Sequence, residues 1–183
     1  MDMTNDQLIL KWKWAIEQNR HIFSWTGDLE AAYLAEQASH AHLAVESGVY
    51  MGFSSAVMLA ASPELHLWCV DPFMVAGTLE CSRFFLKKYT SQGRCEIIPD
   101  RCAHAAEMLA YLRGKIDLAF VDDGHAYDDV VYDIQHLTPL LRPGGVLCGH
   151  DYETPPNDVT RAVTDRLQGH RQPVPRMWEW RKP

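Results

Sequence analysis

Short apolar runs alternate with amphipathic stretches along the 183-residue chain. Five runs have the length of strands, are rich in β-branched or aromatic residues and are bounded by Gly, Pro, Asp or other charged residues: 42–45, 65–70, 95–98, 116–121 and 146–148. Strands that alternate with helices form parallel sheets, because each crossover helix returns the chain to the same end of the sheet. The pattern therefore predicts an α/β fold with a doubly wound, mostly parallel sheet covered by helices on both faces.

Helical spacing occurs in stretches between and beside these runs: 5–23, 28–40, 53–61, 78–89, 103–112, 128–141 and 158–168. The stretch 128–141 is the clearest, because its apolar residues recur along one helix face. Pro143-Gly144-Gly145 is expected to end this helix and to turn the chain into the next strand. Tryptophans in period two predict a last strand at 177–181.

The length of the chain predicts one domain over residues 1–183. Within it, residues 1–40 are expected to form N-terminal helices, 41–152 the core of the sheet, and 153–183 a short C-terminal helix and strand. The formal net charge of −7 argues against nucleic acid and anionic membranes as partners. The five cysteines form no CxxC pair, which favours a reducing compartment. With no signal peptide or membrane span visible, a cytoplasmic protein is expected.

Each predicted strand is followed by acidic residues: Glu46, Asp71, Asp100, the pair Asp122-Asp123, and Asp151 after His150. In an open α/β sheet, ligands bind outside the carboxyl ends of the strands, near the point where strand order reverses. A single acid at such a position is explained by a turn or a helix cap. Acids at all five ends indicate a ligand site at this edge.

The loop after the first run, residues 46–52, has the pattern E-x-G-x-x-x-G. A dinucleotide site prefers G-x-G-x-x-G, in which the second glycine lets the backbone approach a pyrophosphate. Tyr50 occupies that position and argues against a pyrophosphate, while Gly48 and Gly52 still permit a tight turn. The loop alone indicates a nucleotide-like ligand without a pyrophosphate, unless the two glycines merely shape the turn.

Residues 44–54 resemble motif I of the class I S-adenosylmethionine-dependent methyltransferases, and Asp71 is similar to their ribose-binding acid. Residues 121–127 resemble the D-G-x-H-x-Y motif of one branch, the O-methyltransferase-like enzymes that act on small molecules. Residues 140–146 and 150–152 resemble the L-L-x-P-G-G and H-D-Y parts of its signature. The resemblance implies a Rossmann-like methyltransferase fold and transfer of a methyl group to a hydroxyl of a small-molecule acceptor.

The same resemblance implies that the following residues bind S-adenosylmethionine: Glu46, Gly48, Tyr50, Gly52, Ser54, Asp71, Pro72, Asp100, Arg101 and Asp122. Asp71 is expected to accept hydrogen bonds from both ribose hydroxyls, and Asp100 from the adenine amino group. Glycine is usual after the aspartate of the fourth strand, but Asp123 stands there. In the family, the aspartate at this position lies beside the amino group of the cofactor. Either Asp122 or Asp123 therefore has this role, and the spacing to His125 favours Asp122.

Several enzymes of this kind bind a divalent cation at the ends of the fourth and fifth strands, where this chain has Asp122, His150 and Asp151. Magnesium prefers carboxylates and water, whereas a histidine ligand moves the preference towards manganese, iron or zinc. The alternative is that Asp151 caps a loop and His150 packs or acts as a base. His125 and His150 are the candidate catalytic bases, because imidazole titrates near neutral pH.

Two other functions remain open: a NAD-dependent oxidoreductase on a similar sheet, and a protein that binds the cofactor without transferring a group. The short C-terminal end also leaves open a homodimer in which a second subunit completes the acceptor pocket. Five tryptophans lie near the ends of the sequence: Trp12, Trp14, Trp25, Trp178 and Trp180. They are expected mainly to anchor terminal elements on the sheet, with an aromatic wall of the acceptor site as the alternative.

Overall fold

The computed structural model describes residues 3–183, which fold around a six-stranded sheet. In chain order the strands are β1 Leu43–Ser47, β2 His66–Val70, β3 Cys95–Ile98, β4 Ile116–Val121, β5 Leu141–Gly149 and β6 Trp178–Arg181. Their spatial order is β3-β2-β1-β4-β5-β6; the first five are parallel, and β6 is antiparallel to β5. The predicted doubly wound, mostly parallel sheet is confirmed.

Within residues 3–183 eight α-helices flank this sheet: α1 Asn5–Glu17, α2 Asp28–Ser39, α3 Phe53–Ala61, α4 Thr78–Phe85, α5 Lys87–Ser91, α6 Cys102–Met108, α7 Tyr127–Leu137 and α8 Asp158–Arg166. A short 3-10 helix, Ala110–Leu112, follows α6, so the predicted helix 103–112 is divided in two. None of the helices in this range has both the length and the apolar character needed to cross a bilayer.

The sheet buries an apolar layer on each face. Successive side chains of a strand point to opposite faces, so Ala44 of β1 packs with the helices α1, α2 and α3, whereas Val45 packs with α6, α7 and α8. On the second face Trp178 of β6 is fully buried, and its indole ring covers Gly149 at the end of β5. Since helices cover both faces, the carboxyl ends of the strands are the part of the sheet left for a ligand.

The order of the strands reverses between β1 and β4. From β1 the chain moves outward to β2 and β3, then returns past β1 to form β4 and β5 on the other side. The loops after β1 and β4 therefore leave the sheet in divergent directions and open a crevice between them. This crevice is the place where the fold itself predicts a binding site.

Two further predicted helices, 5–23 and 78–89, differ from the structure. The predicted helix 5–23 ends earlier, at the end of α1, because the buried side-chain amide of Asn19 donates to the carbonyl of Ala15 at 2.8 Å and caps the last turn. The predicted helix 78–89 is divided into α4 and α5 at Leu86, whose φ of −89° and ψ of 0° leave the helical region. Leu86 is fully buried, so packing of its side chain outweighs continuity of the helix.

The prediction for Pro143-Gly144-Gly145 was wrong in its placement. The predicted helix 128–141 ends at Leu137, before this sequence, which lies inside β5. The pairing of β4 with β5 shifts register across it, so the strand bulges there. Gly144 has a φ of 74°, and its N–H donates to the carbonyl of Lys182 at 2.8 Å. The Pro-Gly-Gly sequence thus bends a strand and does not end a helix.

Asp133 of α7 is a carboxyl group buried against β1. It is only 4% exposed and accepts a hydrogen bond of 2.9 Å from the hydroxyl of Ser47. Burial raises the pKa of Asp133 to about 6, and the Ser47 hydrogen bond offsets only part of this effect. The folded state therefore binds a proton that the unfolded state releases between about pH 4 and pH 6. It follows that ionisation of Asp133 above pH 6 destabilises the fold.

We predict that Asp133→Asn raises the free energy of unfolding at pH 8 by about 1–2 kcal/mol, because a neutral amide replaces a buried charge. At pH 5 the gain is smaller, because the native carboxyl is then largely protonated in the folded protein. Urea denaturation at the two pH values measures this difference. Asp128→Asn is the control, since it removes the same charge from an exposed position of α7. Equal gains at both pH values for Asp133→Asn would contradict the prediction.

Candidate functional site

A cavity of about 560 Å³ opens at the carboxyl ends of the strands, beside the reversal of strand order. We call it the central cavity. Its walls come from the loops after β1, β2, β4 and β5, from residues 23–26 ahead of α2, and from Arg176 ahead of β6. The cavity therefore joins the strand ends predicted from the sequence to both flanking regions of the chain.

Close packing between the loops after β1 and β4 forms the floor of the central cavity. Gly48 has a φ of 93°, and a Cβ built on it would lie 2.2 Å from the carbonyl oxygen of Asp122. The two loops are also joined by the N–H of Asp122, which donates to the carbonyl of Ser47 at 2.7 Å. The loop after β1 thus requires glycine at this position both for its backbone conformation and for space.

Glu46 lies beneath this floor and is fully buried. The hydroxyls of Ser54 and Ser55, at the start of α3, each donate to one of its carboxylate oxygens. Burial raises the pKa of Glu46 to about 8 in spite of these donors, and the nearby Asp122 and Asp71 contribute to the increase. Ser54 also lines the cavity. A cationic ligand group placed here would favour the ionised carboxylate.

Asp71, at the end of β2, holds the loop after β1 in place. One carboxylate oxygen accepts the N–H groups of Val49 and Tyr50 at 2.8 and 2.7 Å, and the other accepts the N–H of Phe73. The sequence predicted a ribose-binding role for Asp71, and the structure shows that it also fixes the backbone around Tyr50. A carboxylate has about four acceptor positions, so these contacts leave room for one further donor.

An aromatic cluster forms one wall of the central cavity. The ring of Tyr50 lies 5.2 Å from that of Trp25 and 6.3 Å from that of Phe23, measured between centroids. Trp25 is 68% exposed, whereas Trp12 and Trp178 are buried in the two apolar layers. The anchoring role expected of the tryptophans therefore describes Trp12 and Trp178, while Trp25 lies where a ligand would contact it.

Two histidines and two aspartates converge at the ends of β4 and β5. The Nε2 atom of His125 lies 2.7 Å from Asp151 Oδ2 and 4.0 Å from Asp122 Oδ1. The Nδ1 atom of His150 lies 3.2 and 3.6 Å from the same two oxygens. The side chain of His125 is 58% exposed and that of His150 only 3%. The structure thus brings together the predicted residues of this edge, and both histidines line the central cavity, with His125 much the more exposed of the two.

The charges in this cluster are strongly coupled. Burial raises the pKa of Asp122 to about 7. Burial opposes ionisation of Asp151 as well, but the contacts with His125, His150 and Arg176 hold its pKa well below the usual value. For His150 burial is outweighed by Asp151, Glu30 and Asp122, which raise its pKa to about 10. The imidazolium of His150 and the carboxylate of Asp151 therefore stabilise each other by their opposite charges.

Glu30 and Arg176 contact this cluster from outside the loops and were missed in the sequence. Glu30 Oε2 lies 3.5 Å from His150 Nε2, and its Oε1 lies 3.7 Å from Arg176 Nη1. Arg176 Nη2 lies 2.9 Å from Asp151 Oδ1. No sequence motif links these positions, since 146 residues separate them along the chain (176 − 30 = 146). Only the fold brings them together.

The cluster has the donor set of a divalent cation site. Ligand atoms of Asp122, His125 and Asp151 all lie within 4.8 Å of one another, and Nδ1 of His150 is within 3.6 Å of both carboxylates. Two carboxylates with imidazole nitrogen are ligands of manganese, iron or zinc, and carboxylates alone suit magnesium. The predicted set of Asp122, His150 and Asp151 is therefore compatible in geometry with a cation, and His125 is within reach of the same point.

Other predicted residues occupy different places. Pro72 and Asp123 line the central cavity, and Asp123 forms no contact with the two histidines comparable to that of Asp122. Asp100 lies outside the cavity lining and accepts from the N–H of Arg101 at 2.7 Å, with His104 Nδ1 at 2.6 Å from its other oxygen. Asp122 therefore lies closer to the two histidines than Asp123 does, and Asp100 contacts His104 outside the cavity lining.

Comparison with known proteins identifies the family and the fold. A family model described as a methyltransferase domain matches residues 45–152. The SAH-bound methyltransferase PaMTH1 of Podospora anserina is 16% identical and superposes with a TM-score of 0.68, over 96% of this chain and 87% of that one. An O-methyltransferase of Bacillus cereus in complex with SAH is 13% identical, with a TM-score of 0.67 over 96% and 90%. A search of curated proteins finds no significant match.

We predict that Gly48→Ala lowers the free energy of unfolding by about 2–5 kcal/mol, because the added Cβ is both strained in φ and in collision with the backbone of Asp122. Gly93→Ala is the matched control: its φ is 68°, but no atom lies within 4 Å of the added Cβ. It is expected to cost only the conformational strain, about 1–2 kcal/mol. Urea denaturation compares the two variants, and equal losses would show that the contact with Asp122 does not restrict the loop.

Proposed function

The chain belongs to the methyltransferase-domain family, and we propose that it transfers a methyl group from S-adenosylmethionine to a hydroxyl of a small molecule, assisted by a divalent cation. The main support for this proposal is a single cavity that extends from the loop after β1, which contains Gly48 and Gly52, to the cluster of two histidines and two aspartates. The relatives solved with SAH, the donor after loss of its methyl group, support the choice of donor.

Carboxylates outnumber the cationic side chains that line the central cavity, which supports a cationic donor. Asp71, Asp122, Asp123 and Asp151 line the cavity, and S-adenosylmethionine carries both a sulfonium and an ammonium group. In this proposal Glu46, Ser54 and Asp122 lie around the methionine part, and Asp71 accepts from the ribose. The proposed adenine contact of Asp100 requires its side chain to leave His104 and turn towards the cavity.

The histidine cluster defines the acceptor end. A methyl displacement needs the nucleophile, the methyl group and the sulfur in line, and a hydroxyl acceptor must also lose its proton. Both histidines line the cavity, but the side chain of His125 is 58% exposed and that of His150 only 3%, so we assign His125 as the base. Asp151, 2.7 Å from its Nε2, stabilises the imidazolium that forms.

The carboxylate and imidazole ligand atoms of the histidine–aspartate cluster are suited to a divalent cation. Asp122, Asp151 and Nδ1 of His150 would hold it, with His125 beside them. Such a cation supplies a Lewis acid that favours the ionised acceptor hydroxyl. Asp151 has a left-handed backbone, with a φ of 57°, a strained conformation that is common at ligand sites. The protein's own part is to hold the donors and to keep acceptor and methyl group aligned.

The donor assignment is tested by thermal unfolding. At a concentration 100 times the dissociation constant, S-adenosylmethionine or S-adenosylhomocysteine stabilises the native state by about 2.7 kcal/mol. For a domain of this size we expect a rise in Tm of about 5–10 °C. NAD at the same concentration is the control and is expected to leave Tm unchanged, because Tyr50 opposes a pyrophosphate. No rise with either methionine derivative would overturn the proposed function.

The donor side of the cavity is tested by two aspartate variants. Asp71→Ala removes the acceptor of three backbone N–H groups, so we expect at least a tenfold loss of S-adenosylmethionine affinity by calorimetry. Asp123→Ala removes a carboxylate from the same cavity without removing such contacts and is expected to have a much smaller effect. Melting temperatures of both variants show whether they are folded. Equal losses of S-adenosylmethionine affinity in the two variants would mean that Asp123, and not Asp122, lies beside the amino group of the cofactor.

A further inference from the structure

Glu30 is a buried acid in the first turn of α2, outside the segment that the family model matches. Only 7% of the residue is exposed. Its Oε2 atom accepts the N–H of Gly27, which caps the start of the helix. An exposed acid would provide the same cap, as exposed acids do at many helix starts. The burial of Glu30 therefore requires another explanation, because an unpaired buried carboxylate is costly.

The other partners of Glu30 belong to the candidate cation site. Its Oε2 lies 3.5 Å from His150 Nε2, and its Oε1 lies 3.7 Å from Arg176 Nη1. His150 Nε2 is buried and has no hydrogen-bond partner of good geometry in the described part of the chain. The nearest carboxylate to it is that of Glu30, so a shift of a few tenths of an ångström would give this nitrogen a hydrogen bond.

The imidazole of His150 is oriented by carboxylates on both sides. Nε2 faces Glu30, whereas Nδ1 faces Asp122 Oδ1 at 3.6 Å and Asp151 Oδ2 at 3.2 Å. A neutral imidazole carries its proton on one nitrogen and a lone pair on the other. If Nε2 donates to Glu30, the lone pair is on Nδ1 and points to the two aspartates. That is the form of histidine that binds a metal ion.

We propose that Glu30 is a positioning residue of the cation site: its carboxylate accepts the Nε2–H of His150 and so directs the lone pair of Nδ1 to the point between Asp122 and Asp151. Arg176 supplies a second connection, because its guanidinium lies between Glu30 and Asp151. Glu30 thereby orients one ligand directly and a second through Arg176. This inference rests on the cation in the proposed function and adds an outer carboxylate to it.

The test is calorimetric titration with MnCl2 of three full-length proteins: wild type, Glu30→Gln and Asp28→Asn. Glu30→Gln keeps the shape of the side chain but removes the charge, and we expect a 10- to 100-fold weaker affinity for Mn²⁺. Asp28→Asn is the matched control: it lies in the same helical turn, is exposed, and pairs with Arg20, away from the cation site. Its Mn²⁺ affinity is expected to stay within threefold of wild type.

Two further measurements separate positioning from a merely structural role. Glu30→Gln is expected to keep the S-adenosylmethionine affinity and the Tm of Asp28→Asn, while the visible absorption spectrum of bound Co²⁺ changes in Glu30→Gln only. Glu30→Asp keeps the charge but is one methylene shorter, so its Mn²⁺ affinity is expected between those of wild type and Glu30→Gln. This second variant decides the question if Glu30→Gln does not fold.

The contrary outcomes are distinct. Wild-type affinity for Mn²⁺ in Glu30→Gln overturns the inference. A parallel loss of Tm and of S-adenosylmethionine affinity in this variant overturns it too, because Glu30 would then be only a helix cap. If the wild-type protein binds S-adenosylmethionine but not Mn²⁺, the cation site and the role of Glu30 are overturned, but the proposed methyl transfer is not. Binding of neither ligand by the wild type overturns the proposed function itself.

Discussion

The close approach of Gly48 to the backbone of Asp122 is the contact on which the site depends. It sets the separation between the loops after β1 and β4 at the place where strand order reverses. Glu46 lies under one side of this contact, and the histidine–aspartate cluster begins on the other. A side chain at position 48 would separate the two halves of the cavity. The parallel pairing of β1 with β4 therefore determines the geometry of the candidate site as well as the fold.

Much of the fold and the inner part of the site could be predicted from the sequence. Apolar runs locate strands, and the carboxyl ends of parallel strands share one edge, so Asp71, Asp122 and Asp151 could be placed together without coordinates. The break at Leu86 and the bulge at Gly144 could not, because each results from tertiary packing that overrides local preference. The side chain of Asp100 contacts His104, four residues further along, and this local contact was not foreseen when Asp100 was assigned to the ligand.

Glu30 and Arg176 illustrate a second kind of limit. Each is an ordinary charged residue in its local sequence: Glu30 has the place of a helix cap, and Arg176 lies in a connection before the last strand. Their importance comes from lying beside opposite charges: Glu30 is buried next to His150, and the partly exposed Arg176 contacts Asp151. Both contacts depend on the docking of α2 and β6 onto the sheet. The cluster balances carboxylates against imidazole and guanidinium groups, so that no charge in it is isolated in a region of low dielectric constant.

The antiparallel strand β6 has a consequence for how the molecule opens. It lies at the edge of the sheet: one side pairs with β5, and the other side forms a single bridge, between Glu179 and Arg171. Edge elements of this kind exchange their amide hydrogens through local opening, at a lower free energy than the central strands. When β6 detaches, it carries Arg176 with it and uncovers Gly149, which precedes His150. The part of the cavity around the histidine–aspartate cluster can therefore come apart while β1, β2 and β4 remain folded.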